Sequence, residues 1–134
     1  MSDDFLDLQT SYGRCLRQGG FIRYFYELFM DSHPEVRELF AQTDFGRQDI
    51  ALRRGISAAI AHAGGSNLAR QTMETMAHVH SRDGRAPVSP ELYGYWIDAL
   101  IKAVEAFDPQ YTPMLGQRWR TAMASTVGYF VQRF

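Results

Sequence analysis

The chain has 134 residues, enough for one domain spanning 1–134 and too few for two. Hydrophobic residues make up 46% and charged residues 22%, which excludes a disordered chain, and a net charge of −1 gives nucleic acid no electrostatic footing. There is no apolar run of roughly 18 residues to span a membrane. The acidic start Met1-Ser2-Asp3-Asp4 lacks the basic charge of a secretory signal, and the single Cys15 excludes an internal disulfide, so a cytoplasmic protein is expected.

Apolar residues recur at helical spacing almost throughout, and no alternating strand pattern is present. A first helix is predicted over Asp4–Gln18, with Phe5, Leu8, Tyr12 and Leu16 on one face and Cys15 as a small packing residue. Gly19-Gly20 breaks it, and an aromatic-rich helix follows over Phe21–Asp31. His33-Pro34 marks a boundary, since a residue before proline avoids helical dihedrals, and Pro34 opens a short helix to Phe40.

After a polar corner over Gln42–Gly46, a helix is predicted over Arg47–Ala63, with Leu52, Ile56, Ala59 and Ile60 inward, until Gly64-Gly65 ends it. The charges of Arg53-Arg54 read as a solvated helix face. The next helix, Asn67–Ser81, carries Leu68, Met73, Met76 and Ala77 and ends near His80. The stretch Arg82–Ser89, with Gly84 and Pro87, is a loop. Ser89-Pro90 and Thr112-Pro113 each combine a capping side chain with proline in the first turn, and so open the last two helices. These bury Tyr93, Ile97, Leu100, Ile101 and Val104, then Leu115, Trp119, Met123, Val127 and Phe130. The class is all-α, with six substantial helices and one short one; helical periodicity leaves open whether they form a simple bundle.

Of the four histidines, His33 reads as a turn residue and His62 as a helix-end residue beside terminal carbonyls. His78 and His80 are two apart and point about 200° from each other, so they cannot share a ligand, and structural zinc has no support. Taken singly, each histidine also reads as structural. His80 differs in context: it shares a helix face with Met76 and Ala77, and an imidazole against apolar walls suits an axial haem ligand.

Around it lies an ordered series. Tyr24-Phe25-Tyr26-Glu27-Leu28-Phe29 leads to Pro34-Glu35-Val36-Arg37-Glu38-Leu39-Phe40, Gln48 and Leu52 fall 8 and 12 residues beyond Phe40, and His80 follows Gln48 by 32. Over about Phe21–Ile101 the chain resembles the globin family, above all the single-domain bacterial haemoglobins and the globin domain of flavohaemoglobins. The resemblance implies a three-over-three helical sandwich around a haem pocket, with haem b (iron protoporphyrin IX) as cofactor. It implies His80 as the proximal iron ligand and Tyr26 and Gln48 as distal hydrogen-bond donors. Phe40 would pack on the haem face, Leu52 would form an apolar wall, and Met76 and Tyr93 would line the proximal side. For Tyr26 the alternative is a core tyrosine bonded to a backbone carbonyl, and for Gln48 an exposed amide.

The resemblance also implies a pair of residues that orient the iron ligand from behind, a tyrosine and a glutamate. Tyr93 matches the tyrosine, after a loop about three residues longer, but the final Val127-Gly128-Tyr129-Phe130-Val131-Gln132-Arg133-Phe134 holds no glutamate. We therefore expect the second ring nitrogen of His80 to donate to a neutral acceptor such as the Met76 carbonyl. The implied function is reversible binding of dioxygen, nitric oxide or carbon monoxide. Nitric oxide dioxygenation with a separate reductase is the alternative, since the chain has no flavin or nicotinamide domain. A haem-free globin-like signalling module is the third reading, against which Tyr26, Phe40, Gln48 and His80 occurring together argue.

Overall fold

The computed structural model describes residues 3–134, so Met1 and Ser2 of the acidic start lie outside the described residues. Seven α-helices are present and, among the described residues, no strand. They are α1 (Leu6–Arg17), α2 (Phe21–Ser32), α3 (Pro34–Leu39), α4 (Phe45–Ala63), α5 (Arg70–His80), α6 (Tyr93–Phe107) and α7 (Pro113–Gln132). No described helix is long and apolar enough to cross a membrane.

The helix starts follow from capping chemistry. The His33 ring accepts the Glu35 N–H at 3.1 Å to open α3, so it is a cap as well as a turn residue. The Asp44 carboxylate accepts from Gly46 N–H and Arg47 N–H at 3.0 and 3.4 Å, so α4 begins at Phe45, two residues before the expected Arg47. Thr112 caps α7 through the Leu115 N–H, whereas the Ser89 side chain makes no cap and Pro90–Leu92 is a 3₁₀ turn ahead of α6. A second 3₁₀ turn, Asn67–Ala69, precedes α5 and throws Leu68 outward to 96% exposure, so the expected placing of that residue with Met73 and Ala77 is corrected.

Helix α4 packs against α1 and α5, while α6 packs against α2 and α7, and contacts of α4 with α7 and α2 and of α1 with α6 join the two layers. This is the sandwich expected above, and its packing is not that of a simple bundle. Trp119 is fully buried with its ring edge-on to Tyr12, 6.4 Å between centroids, and such burial contributes roughly 2–3 kcal/mol. Beside it lies a polar clamp. Buried Asp108 accepts from the Ser11 hydroxyl at 2.6 Å, from Arg14 at 2.6 and 2.9 Å and from the Gln110 N–H at 2.9 Å, and Ser11 in turn accepts the Trp119 indole N–H at 3.0 Å. Burial opposes ionisation of Asp108, but the Arg14, Ser11 and Gln110 hydrogen bonds prevail and hold its carboxyl below the ordinary range.

The apolar core falls into two parts. The larger one joins α1, α2, α4, α6 and α7. A smaller cluster of Met73, Ala77 and Phe130 sits under α5, with Met76, Tyr93 and Tyr129 packed on it. The residues singled out from the sequence lie on either side of this division.

Candidate functional site

Tyr26 sits on the inner face of α2 and is 2% exposed. Its ring is edge-on to Phe40 and to Phe45, 5.4 Å from each, and those two rings stack at 6.0 Å. Phe40 stands where α3 ends and Phe45 where α4 begins, so a short corner delivers both rings to the same phenol. Phe45 falls within the polar corner expected over Gln42–Gly46, and in the structure it joins the aromatic cluster instead. Asp44, a capping residue just ahead of it, was the available sign that the helix starts there.

The Tyr26 hydroxyl donates to the backbone carbonyl of Gln48 at 3.4 Å, well beyond the usual O–H···O length. The bond is therefore weak. The bond runs to the Gln48 main chain and not to its amide, which is the geometry of the alternative given above, a core tyrosine bonded to a backbone carbonyl. Burial pushes the Tyr26 phenol above its ordinary range, so it keeps its proton.

Gln48, Leu52 and Gly55 are four and three residues apart and share one face of α4. At Gly55 an added Cβ would come within 3.1 Å of the Met76 Cε, so this face approaches α5 closely. Met76 and His80, four apart, share the facing side of α5. Helices α4 and α5 are joined by the short stretch 64–69. The Gly55–Met76 approach links the helix that carries Gln48 and Leu52 to the helix that carries His80.

His80 is half-buried, 6.1 Å from the Phe130 ring, and Phe130 also meets Tyr93 at 6.0 Å. Phe130 was expected only as a core residue, and it proves to be the shared wall of His80 and Tyr93. Burial raises the Tyr93 phenol to about 12. The His80 Nδ1 lies 3.1 Å from the carbonyl of Ala86, in the loop between α5 and α6. The expected neutral acceptor is present, but it is Ala86 and not Met76. Desolvation holds the His80 imidazole below its ordinary range, the Ala86 carbonyl opposes this, and nearby Arg85 reinforces it. A neutral ring whose Nδ1–H is engaged leaves Nε2 with a free lone pair, as an axial metal ligand requires.

Among the described residues no three His, Cys, Asp or Glu side chains gather to hold a bare metal ion. The donor set is one neutral imidazole, two side chains with hydrogen-bond donors and apolar walls. That fits an iron already held by a macrocycle, and His80, Phe40, Leu52, Met76 and Tyr93 are the residues that would hold haem. The other histidines lie elsewhere: His33 caps α3, His62 packs edge-on to Tyr129 at 4.9 Å, and His78 is exposed.

Comparison with known proteins is consistent with this chemistry. No family model matches the chain. It is 28% identical over 102 residues to a flavohemoprotein of Rhizobium meliloti (strain 1021), a match that takes in 73% of this chain but only 25% of that protein, so the chain spans about a quarter of the relative's length. Its fold matches the crystal structure of protein PA3967 from Pseudomonas aeruginosa PAO1, described as structurally highly homologous to a human hemoglobin. That match has a TM-score of 0.92 and 31% sequence identity, and it covers 98% of both chains.

Proposed function

The chain belongs to the globin family, of the bacterial haemoglobin type, and from that premise we propose that it holds haem b through His80 and reversibly binds dioxygen or another diatomic gas. The observation that carries this reading is the His80 ring, its Nδ1 at 3.1 Å from the Ala86 carbonyl and its Nε2 free, on the side of α5 whose Met76 approaches Gly55 of α4.

Haem, when bound, supplies a ferrous iron able to take up dioxygen, nitric oxide or carbon monoxide. The chain's own residues set the terms. The Tyr26 phenol stays protonated and the Gln48 amide carries N–H donors, so each would offer a hydrogen bond to the partial negative charge that dioxygen acquires. Phe40, Phe45 and Leu52 form apolar walls that restrict water and keep those donors effective. On the other side, a carbonyl behind His80 makes the imidazole less basic than a carboxylate would, so less electron density reaches the metal. That weighs toward binding and against nitric oxide dioxygenation supported by a separate reductase.

Visible spectra of the purified chain titrated with haem test the reading. A Soret band that shifts with carbon monoxide and is lost in His80→Ala is expected. A band unchanged in His80→Ala would overturn the assignment of the ligand, and the absence of any band would favour a haem-free module. Mixing the oxygenated protein with nitric oxide and a reductase separates binding from catalysis, because repeated turnover would show an enzyme.

A further inference from the structure

The loop after His80 has its own construction. The last carbonyls of a helix lack internal partners, and here the loop supplies them. The Ala86 N–H donates to the Val79 carbonyl at 3.0 Å and the Val88 N–H to the His80 carbonyl at 3.1 Å. The Ser81 hydroxyl donates to the His78 carbonyl at 2.7 Å, and the Arg82 N–H to the Phe134 carbonyl at 3.1 Å. The segment 81–88 is therefore folded back onto the end of α5 and tied to the end of α7.

Two residues make that path possible. At Gly84 an added Cβ would lie 2.2 Å from the His78 carbonyl oxygen and 2.3 Å from that of Val79, both backbone atoms, so only glycine fits. Pro87 restricts the residue before it to extended ψ, and that angle sets the direction of the Ala86 carbonyl. The carbonyl so aimed is the one 3.1 Å from His80 Nδ1.

We propose that the 81–88 loop is a backbone brace that sets the rotation and tautomer of the His80 ring, with Gly84 and Pro87 as its positioning residues. It rests on the reading that His80 is the iron ligand. The brace takes the place of a charged partner: its acceptor is a main-chain carbonyl that no single side-chain substitution removes, and its aim is set by residues that do not touch the imidazole.

Pro87 is exposed, so Pro87→Gly removes no core contact while lifting the restriction on the Ala86 ψ angle. Nitrogen-15 spectra of the histidine rings in the full chain, before haem is added, are expected to show neutral His80 with the proton on Nδ1. Pro87→Gly is expected to shift the tautomer ratio about fivefold toward Nε2–H, the factor one ordinary hydrogen bond provides. After haem addition the ferrous iron–histidine stretching band is expected to fall in frequency in Pro87→Gly, and in Gly84→Ala if that variant folds. A wild-type ring protonated on Nε2, or a Pro87→Gly ring spectrum identical to wild type, overturns the brace. A Soret band that survives His80→Ala overturns the ligand reading instead, and the spectra taken without haem still decide the brace.

Discussion

Replacing Tyr26 by phenylalanine separates what its hydroxyl does for the fold from what it does for a bound gas. The ring is edge-on to Phe40 and Phe45 at 5.4 Å, and phenylalanine preserves both contacts. The hydroxyl's bond to the Gln48 carbonyl is 3.4 Å long, so its loss is expected to cost less than about 1 kcal/mol of stability. Toward dioxygen the same hydroxyl meets a partly charged acceptor, for which a hydrogen bond is worth about 1.5–3 kcal/mol. That corresponds to dioxygen release roughly 10- to 100-fold faster in Tyr26→Phe. Urea unfolding measures the first quantity and stopped-flow dissociation the second. Because burial keeps the phenol protonated, the wild-type release rate is expected to stay flat through the neutral and mildly alkaline range. Release at the wild-type rate in Tyr26→Phe would refute the distal role and leave Tyr26 as a core tyrosine.

Asp108→Ala strips the partner from Arg14, Ser11 and Gln110 at once, and a loss of about 2–4 kcal/mol is expected by urea unfolding, below the full cost of a broken buried pair because Arg14 is partly exposed. The Asp108 carboxyl titrates below its ordinary value in the folded chain, so its stabilisation is complete above the unfolded value of about 4 and is lost as pH falls through the folded one. Unfolding free energy measured below about pH 4 should therefore fall less steeply in Asp108→Asn than in wild type, and equal slopes would count against the clamp. Gly64→Ala puts a Cβ 2.6 Å from the Asp4 carbonyl oxygen and should cost about 1–3 kcal/mol, read as a lowered Tm; a raised Tm would mean that the segment before α1 moves aside freely.

The helices were legible because each carries its period and its punctuation, with Gly19-Gly20, Pro34, Gly64-Gly65 and Pro113 all marking boundaries in the structure. Leu68 was misplaced because a 3₁₀ turn rotates side chains by a different angle per residue than the α-helix assumed for it. Phe45 was missed for a related reason: a cap two residues earlier than expected moves the helix start and with it the face a ring presents. Tyr26, Gln48 and His80 could be picked out by type and order, since each lies on a regular helix. The Ala86 carbonyl could not, because alanine has no chemistry of its own and a loop's path depends on backbone hydrogen bonds that leave no pattern in residue type. Gly84 and Pro87 were visible only as loop formers.

The Asp108 clamp carries a consequence for how the chain assembles. Ser11 meets Asp108 across 97 residues and Trp119 across 108, so these bonds close a loop of nearly the whole chain. Closing so long a loop carries an entropic cost that nearby contacts must already have offset, which makes the formation of this clamp a late event. Tyr12 reaches Phe21 and the Arg53 carbonyl over shorter spans of chain, whereas its contact with Trp119 forms only when the two ends of the domain meet. The clamp thus ties the two ends of the domain together after its middle has packed.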